Sequence, residues 1–362
     1  MSRKVSGDRA TIADVAQHAG VSTATVSRVI NRAGKVNAQT EARVRAAIHE
    51  LGYLPHIAAR GLASSHTNTI GLIFPEISGH YYATVLRGIE QVTMRERYAL
   101  LIVSVNSLNR EDLEMLLPLG EHNTDGLIIF TNSLPADIME RLHAHHFPMV
   151  LLHHTPPATV DIPHIHFANE PGAYAAVEHL IVAHGCRRIV LLRGPADNED
   201  AAQREAGYQR ALADHGLPVA HELQLDGEFN EAVAEAAIAA FVQQEIDFDA
   251  IFAADDESAW GAMTALRASG RRVPEDVAIA GFDDGLLSRH LTPALTTVHA
   301  PIEEAGCRAA ETLLCAIHAR DSGGADNGAT ALVLPTHLVV RGSCGCGFSE
   351  QNIALTTRIP VM

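Results

Sequence analysis

The sequence lacks a hydrophobic run approaching the about 20 residues that a membrane-spanning helix needs. The basic residues near its start are not followed by an apolar stretch, so no signal peptide is predicted. Both absences argue against a membrane protein and predict that the chain stays in the cytoplasm.

Cysteine is scarce. The chain has five cysteines, an odd number with mostly wide spacing, which predicts reduced thiols rather than a disulfide framework. They are Cys186, Cys307, Cys315, Cys344 and Cys346. The last two stand one residue apart in SCGC, where a metal or redox role is conceivable, but two ligands alone do not make a zinc site. The sequence therefore predicts neither a metal nor a cofactor.

Motifs of catalytic sites are also missing. The chain contains no GxSxG, no HExxH and no phosphate-binding glycine loop. Its 21 histidines include the cluster HAHH, but His143, His145 and His146 have no cysteine or carboxylate at ligand spacing. We interpret them as incidental surface residues, and we predict that the protein is not an enzyme.

The charge is unevenly distributed. The 362 residues carry a net charge of −16, yet residues 1–60 hold nine Lys and Arg against four Asp and Glu. A basic head on an acidic body predicts a polyanion bound at one end only, although a solvated basic surface would have the same composition.

The basic head has the pattern of two short helices joined at a glycine. In TIADVAQHAG the apolar residues keep helical spacing, and Thr11 precedes Asp14 by three residues, as in a capping box. Gly20 ends this helix, and Ser22 suits the N-cap of the next one. A third helix is predicted from Ala38 to Leu51. Together they predict a helix-turn-helix unit.

The second helix, GVSTATVSRVIN, is rich in serine and threonine, which are poor helix formers. Val26, Val29 and Ile30 form its narrow apolar stripe. The hydroxyl groups and Arg28 on the other face can donate hydrogen bonds to phosphate oxygens and base edges, so the unit is predicted to bind DNA through the major groove.

This head resembles the DNA-reading unit of the lactose-repressor family almost residue for residue, and LGYLPHIAARGLASSHTNTIGLI resembles that family's hinge. The resemblance implies that Thr23, Ala24 and Arg28 select bases, while Leu62 wedges into the minor groove; Leu62 could instead be an ordinary linker residue. The remaining positions that we predict to be DNA-binding are Thr11, Ser22, Thr25, Ser27, Asn31, Lys35, Thr40, Tyr53 and Ala59.

From Asn68 onward, apolar runs alternate with amphipathic helical stretches, which predicts parallel sheets covered on both faces and two α/β lobes. The predicted strands are Thr69–Phe74, Ala99–Val105, Gly126–Phe130, Pro148–Leu152, Arg188–Leu192, Ala250–Ala253 and Val277–Gly281.

This body resembles the type I periplasmic-binding-protein fold, the effector domain of the same family, in stretches such as DGLIIF, HGCRRIVLLRGP and VAIAGFDD. The resemblance implies three chain crossings between the lobes, near residues 161–163, 292–294 and 319–328. The predicted boundaries are a head at 10–54, a hinge at 55–67, a body at 68–343 and a tail at 344–362. The N-lobe would comprise about 68–162 and 294–319, and the C-lobe 163–293 and 328–343.

Ligands of open α/β sheets bind beyond the carboxyl ends of the strands, here the cleft between the lobes. The residues that follow strands there, and that match the family's effector contacts, are Tyr81, Tyr82, His153, Arg204, Asp255 and Asp283. Carboxylates and a guanidinium can bind vicinal hydroxyls, and a tyrosine ring can cover a sugar face.

Each of these residues also has an ordinary structural interpretation. Asp283 with Asp284 could cap the next segment, Arg204 could form a surface ion pair, and the tyrosines could be core residues. His153 stands where many sugar-responsive members have an aspartate, which could select another stereochemistry or an anionic group.

The whole pattern predicts a homodimeric transcription regulator, a repressor, whose affinity for double-stranded operator DNA is controlled by a small-molecule effector, a sugar or sugar derivative. The alternative is a solute-binding receptor of the same fold without a regulatory role. The tail after Cys346 lacks the heptad repeat of a tetramer-forming coiled coil, which favours a dimer.

Overall fold

The computed structural model describes residues 10–30, 36–53, 66–75, 79–105, 123–322 and 331–346. Between Thr67 and Asn68 the chain divides into two compact units. Among the described helices, none is both long and apolar enough to cross a membrane.

The described part of the N-terminal unit contains three helices: α1 (Ile12–Ala19), α2 (Thr23–Ile30) and α3 (Ala38–Glu50). The predicted capping box is confirmed, because the Thr11 side chain accepts from the Asp14 N–H while the Asp14 carboxylate accepts from the Thr11 N–H. Gly20 follows α1 with φ 64°, a conformation that favours glycine. The core of the unit consists of Val15, Ala16, Ala19, Val26, Val29, Val44 and Ala47.

The first sheet of the C-terminal unit defines the N-lobe. Its six strands are all parallel and follow the order β11-β5-β4-β3-β1-β2. They are β1 (Thr69–Phe74), β2 (Ala99–Ser104), β3 (Gly126–Phe130), β4 (Met149–Leu152), β5 (His164–Phe167) and β11 (Ala331–Leu334). Strands β1, β3 and β4 are buried along nearly their whole length, as continuous apolar runs predict.

The second sheet defines the C-lobe and has four parallel strands in the order β7-β6-β8-β9. They are β6 (Ile189–Arg193), β7 (Gln224–Asp226), β8 (Ala250–Ala253) and β9 (Ala278–Ala280). An antiparallel ribbon of β10 (Thr297–His299) and β12 (His337–Val339) lies beside β9, bridged to it through Ala280 and Thr296.

Helices cover both sheets. The N-lobe carries α4 (Gly79–Glu96), α5 (Ala136–Ala144) and α11 (Ile302–Asp321). The C-lobe carries α6 (Asn169–His184), α7 (Glu199–Asp214), α8 (Glu231–Val242), α9 (Asp256–Ala268) and α10 (Leu286–His290). Short 3-10 turns lie at His221–Leu223 and Gly342–Cys344.

Glycines allow two of the N-lobe helices to cross at close range. A Cβ atom on Gly88 of α4 would overlap the carbonyl oxygen of Glu303 on α11, and one on Gly306 would overlap the carbonyl oxygen of Val85. These two glycines therefore let the two backbones touch.

The predicted lobe boundaries differ from the structure. Strand β5 pairs with β4, so the first crossing follows Phe167 instead of residues 161–163. Strand β10 still pairs within the C-lobe, so the second crossing follows His299 instead of residues 292–294. Strand β11 pairs with β5, so the third crossing follows Leu334 instead of residues 319–328. These strands are short, and their sheet is set by their neighbours rather than by their own sequence.

Candidate functional site

The exposed face of α2 presents the side chains expected to read DNA. Thr23, Ala24 and Arg28 are exposed, whereas Val26 and Val29 are buried against the other two helices. The Ser22 hydroxyl accepts from the Thr25 N–H at 3.2 Å, which confirms Ser22 as the N-cap. Within the described residues Arg28 makes no hydrogen bond or ion pair, so its exposed guanidinium is available to a partner.

Other predicted DNA contacts have local structural roles. Thr11 belongs to the capping box of α1, and the Thr40 N–H donates to the Asn37 side chain at 2.8 Å. Tyr53 packs against the core of the unit, and Ser27 and Thr25 are half-buried on α2. The four remaining predicted residues, Asn31, Lys35, Ala59 and Leu62, lie outside the described residues.

The cleft between the two lobes of the C-terminal unit holds a cavity of about 730 Å³. All six residues predicted for effector binding line it: Tyr81, Tyr82, His153, Arg204, Asp255 and Asp283. Trp260 of α9 is not among the lining residues. The carboxyl ends of strands from both sheets therefore meet at the cleft between the lobes, as predicted from the parallel strand pattern.

Arg204 on α7 is the central cation of the cavity. It is 3% exposed, so it is not a surface ion-pair residue. Its Nε donates to Asn169 Oδ1 at 2.9 Å, its Nη1 donates to the Ala254 carbonyl at 2.6 Å, and its Nη2 lies 3.1 Å from Asp283 Oδ1. The guanidinium also stacks 3.9 Å from the centroid of the Phe282 ring. These contacts fix the planar group in one orientation.

His153 connects the two lobes inside the cleft. Its Nε2 lies 2.6 Å from Tyr81 Oη, and its Nδ1 lies 3.0 Å from Asp200 Oδ2. The carboxylate favours a proton on Nδ1, which leaves Nε2 to accept from the Tyr81 hydroxyl. Burial together with Asp200 and Asp283 raises the pKa of Tyr81 well above its usual range, so Tyr81 remains a donor.

Asp200 stays ionised despite its burial. Burial opposes ionisation, but His153, His166 and Arg204 outweigh it and hold the pKa of Asp200 below its usual range. His166 is more distant than His153, with its Nδ1 atom 4.0 Å from Asp200 Oδ1. Asp200 thus supplies a negative charge directly beside His153.

Three other aspartates are harder to ionise. Burial raises the pKa of Asp255 to about 6 and that of Asp283 to about 7, the latter against the attraction of Arg204. Burial and the nearby Asp283 raise the pKa of Asp256 well above its usual range. Asp255 is also the N-cap of α9, accepting from the N–H groups of Glu257 and Ser258.

The adjacent residues Asp283 and Asp284, which follow β9, have different roles. Asp283 faces the cavity with φ 110°, and its carboxylate lies beside Arg204. Asp284 points into the protein, where it accepts from Arg341 Nη2 at 2.5 Å and lies 3.1 Å from His299 Nδ1. The alternative of a purely structural role therefore applies to Asp284, whereas the Asp283 side chain faces the cleft.

Aromatic rings line both sides of the cavity. Tyr82 packs edge-on against Phe74 with centroids 5.5 Å apart, and Tyr81 packs edge-on against Tyr82 at the same separation. On the C-lobe side the centroid of the Phe229 ring lies 5.5 Å from the Cζ atom of the Arg204 guanidinium. The tyrosines thus pack against the core and face the cavity at the same time.

Hydrogen bonds between the lobes cross the mouth of the cleft. Asn132 Nδ2 donates to the Asp197 carbonyl at 2.5 Å, and the Thr155 hydroxyl donates to Glu199 Oε2 at 2.7 Å. The His80 N–H donates to Glu257 Oε1 at 3.1 Å. Any separation of the two lobes must break these contacts.

Sequence reasoning missed several residues of the cleft. Asp200 and Asn198 lie at the start of α7, and Asp256 opens α9, so none of them directly follows a strand. Asn169 does not line the cavity, but it orients Arg204. The sequence ADNED, which includes the N-cap and the first two residues of α7, carried a signal, since its polar residues follow β6.

Two regions match known families. Residues 11–56 match the family described as bacterial regulatory proteins, lacI family, and residues 177–344 match a periplasmic binding protein-like domain. The HTH-type transcriptional repressor PurR of Vibrio atlanticus is 32% identical over 313 residues, which cover 86% of this chain and 93% of that protein.

Solved structures agree with these matches. The crystal structure of the lac repressor dimer bound to operator and the anti-inducer ONPF is 30% identical, covers 93% of this chain and 99% of its own, and has a TM-score of 0.78. The transcriptional regulator CelR in complex with cellobiose is 31% identical, covers 92% of this chain and 100% of its own, and has a TM-score of 0.68. The three-helix unit, the two-lobed body and these similarities place the chain in the lacI family of bacterial regulatory proteins, as a transcription regulator.

Proposed function

We propose that this regulator binds a neutral carbohydrate in the cleft and that the bound sugar sets its affinity for operator DNA. The observation that carries the proposal is the excess of carboxyl groups over Arg204 in the cavity. Seven acidic residues line it: Asp197, Asp200, Glu228, Asp255, Asp256, Glu257 and Asp283. Asp200 is ionised, whereas burial raises the pKa of Asp255, Asp256 and Asp283.

This arrangement suits hydroxyl groups. Carboxylate oxygens accept from sugar hydroxyls, the Arg204 guanidinium donates to their oxygens, and the rings of Tyr81, Tyr82 and Phe229 can cover apolar sugar faces. An anionic ligand would be repelled by the ionised carboxylate of Asp200, and Arg204 already pairs with Asp283. Ligand pockets commonly measure about 300–1,000 Å³, so a cavity of about 730 Å³ can hold more than one sugar ring. The cellobiose bound to CelR supports this ligand class.

The active species in this proposal is a homodimer, because two heads are needed to read the two halves of a near-palindromic site. Strand β2 is an edge strand of the N-lobe sheet, and it leaves Leu101 and Ile102 36% and 38% exposed. Met94 on α4 is 70% exposed. Apolar residues exposed along a sheet edge favour a protein contact. The lac repressor, a relative, is a dimer on its operator.

The proposal is tested with the full-length protein and fluorescently labelled duplex fragments from the promoter region of its own gene. Operator binding is measured by anisotropy at fixed ionic strength, alone and with neutral monosaccharides, neutral disaccharides, amino sugars and sugar phosphates. We expect neutral sugars to change the dissociation constant, in either direction, and sugar phosphates to have no effect. A response to sugar phosphates alone would overturn the assignment of a neutral ligand.

Two variants on one helix provide a matched pair. Arg204→Gln removes the guanidinium from the cavity, so operator binding should persist but no longer respond to the sugar. Arg210→Gln changes a residue that pairs with Glu170 and stacks on Tyr174 away from the cavity, so its response should remain normal.

A third variant, Phe229→Ala, leaves the buried charges in place. It should weaken sugar binding, and it thereby separates the loss of a ligand contact from a loss of folding. Normal ligand responses in Arg204→Gln and Phe229→Ala would remove both residues from the site.

A further inference from the structure

Two cysteines and two histidines meet on the side of the C-lobe that carries the last described residues. They are His179 and His184 of α6, Cys344 of the 3-10 turn, and Cys346. One ligand atom from each side chain lies within 4.8 Å of the other three. The sequence prediction of no metal site weighed Cys344 and Cys346 without His179 and His184, because about 160 residues separate the cysteines from these histidines.

Four of the six separations between the ligand atoms are those of a tetrahedral zinc site, and all six are within 4.8 Å. With Zn–N of about 2.0–2.1 Å and Zn–S of about 2.3 Å, a regular tetrahedron places two nitrogens about 3.3 Å apart and a nitrogen and a sulfur about 3.5 Å apart. The two Nε2 atoms lie 3.3 Å apart. His179 Nε2 lies 3.5 Å from Cys344 Sγ and 3.6 Å from Cys346 Sγ, and His184 Nε2 lies 3.4 Å from Cys346 Sγ.

The local backbone supports this convergence. Helix α6 ends at His184, and Gly185 follows with φ 71°, so both histidines occupy its C-terminal part. Gly345 between the cysteines has φ 103°, and a Cβ atom there would lie 3.2 Å from His184 Nδ1. A glycine at this position therefore lets the turn bring both thiols to the same side.

A buried hydrogen bond is directed at one of the sulfur atoms. The Thr296 hydroxyl donates to Cys344 Sγ at 3.1 Å, while its oxygen accepts from the Arg341 N–H at 2.8 Å. The Arg341 contact orients the hydroxyl proton toward the sulfur. Donors to a ligating thiolate are typical of metal sites, where they hold the ligand in place.

We propose that His179, His184, Cys344 and Cys346 bind one zinc ion. Two thiolates and two neutral imidazoles form a closed tetrahedral set, which is the ligand chemistry of structural zinc rather than of an open catalytic site. The ion ties the segment after β12 to the end of α6. That segment is also held by Ser343, whose hydroxyl donates to the Ile279 carbonyl of β9 at 2.7 Å. The site therefore fastens the end of the C-lobe, independently of the cleft.

The first test measures metal content. The full-length protein is purified under reducing conditions with zinc present and dialysed against metal-free buffer. Its zinc content per chain is then measured by inductively coupled plasma mass spectrometry. We expect one zinc per chain, and less than a tenth of that in Cys346→Ser and in His184→Gln. Cys315→Ser changes an exposed cysteine on α11 and should retain the full amount. Wild-type protein without stoichiometric zinc, or a Cys346→Ser variant that keeps it, would overturn the proposal.

The second test identifies the ligands spectroscopically. Cobalt(II) exchanged into the site should give the intense visible absorption of tetrahedral cobalt and a thiolate-to-metal charge-transfer band, both missing in Cys346→Ser. Thr296→Val keeps all four ligands and removes only the hydroxyl, so it should retain the spectrum with roughly 10-fold weaker metal affinity. An octahedral spectrum, or a Cys344–Cys346 disulfide in the reduced preparation found by peptide mass analysis, would exclude the site.

Discussion

Replacing Asp283 with asparagine tests whether the cleft strains the fold when its carboxylates are ionised. The pKa of Asp283 is raised from 3.8 to about 7, chiefly by burial and against the attraction of Arg204. A carboxyl whose pKa is higher in the folded state stabilises the fold only while protonated. This contribution is complete below pH 3.8 and is lost as the pH rises through about 7.

The size of the effect follows from the pKa difference. One pKa unit corresponds to about 1.4 kcal/mol, so the raised pKa of Asp283 costs about 4 kcal/mol of folding free energy at pH 8, where the side chain is ionised. At pH 5, where the side chain must take up a proton on folding, the cost is about 2 kcal/mol. Asparagine never ionises and tolerates the positive φ of 110° at this position. The stability advantage of Asp283→Asn over the wild type should therefore grow by about 2–3 kcal/mol between these two pH values.

Urea unfolding at both pH values measures this growth, because a constant packing effect of asparagine cancels between them. Trp260 is the only tryptophan and lies on α9, so its fluorescence reports on the C-terminal unit and not on the three-helix head. An advantage that grows by less than about 0.5 kcal/mol would refute the reasoning that burial outweighs Arg204 at this site.

Asp284→Asn is the matched control, with the opposite sign. Burial opposes ionisation there, but His299 and Arg341 outweigh it and lower the pKa of Asp284 to about 2. Its stabilisation is present above pH 3.8 and is lost as the pH falls through about 2. The asparagine variant should lose about 2 kcal/mol equally at pH 5 and pH 8, whereas a loss that changes between them would contradict the assignment.

Three other substitutions test separate parts of the molecule. Arg28→Ala should lose about 1–3 kcal/mol of discrimination between operator and unrelated duplex in competition anisotropy, while ligand binding is unchanged; retained selectivity would contradict the role of α2. Gly88→Ala forces a methyl group against the Glu303 carbonyl, so thermal unfolding should show a loss of about 1–3 kcal/mol or more, and an unchanged melting temperature would mean that the helices can separate. Tyr208→Phe leaves the buried Ile189 carbonyl without the hydroxyl that donates to it at 2.8 Å, and a loss of about 1–2 kcal/mol is expected in urea unfolding.

The three-helix head was predictable almost residue by residue. Its capping box at Thr11, its N-cap at Ser22 and the turn at Gly20 depend on groups three or four positions apart, so the sequence alone specifies them. The third helix was predicted from Ala38 to Leu51 and extends from Ala38 to Glu50, one residue shorter.

Of the twelve strands in the described part of the body, long apolar runs predicted seven, and the other five were missed. Strand β5 reads HIHF and strand β12 reads HLV, patterns too short and polar to predict a strand. Their conformation depends on pairing with their sheet neighbours β4 and β10, which are separate segments of the chain. This is also why all three predicted lobe crossings came too early.

The sequence by itself determined the class of this protein, because capping, glycine turns and apolar periodicity act over a few residues and leave a readable pattern. It also located the ligand cleft, since parallel strands end at a common edge. Only the tertiary structure decided which charges meet. Folding brings Asp200 against His153 and sets Asp283 beside Arg204, and it places two histidines of α6 against two cysteines near residue 345. Electrostatic and metal-ligand interactions depend on distances of a few ångströms between atoms, and spacing along the chain does not record these distances.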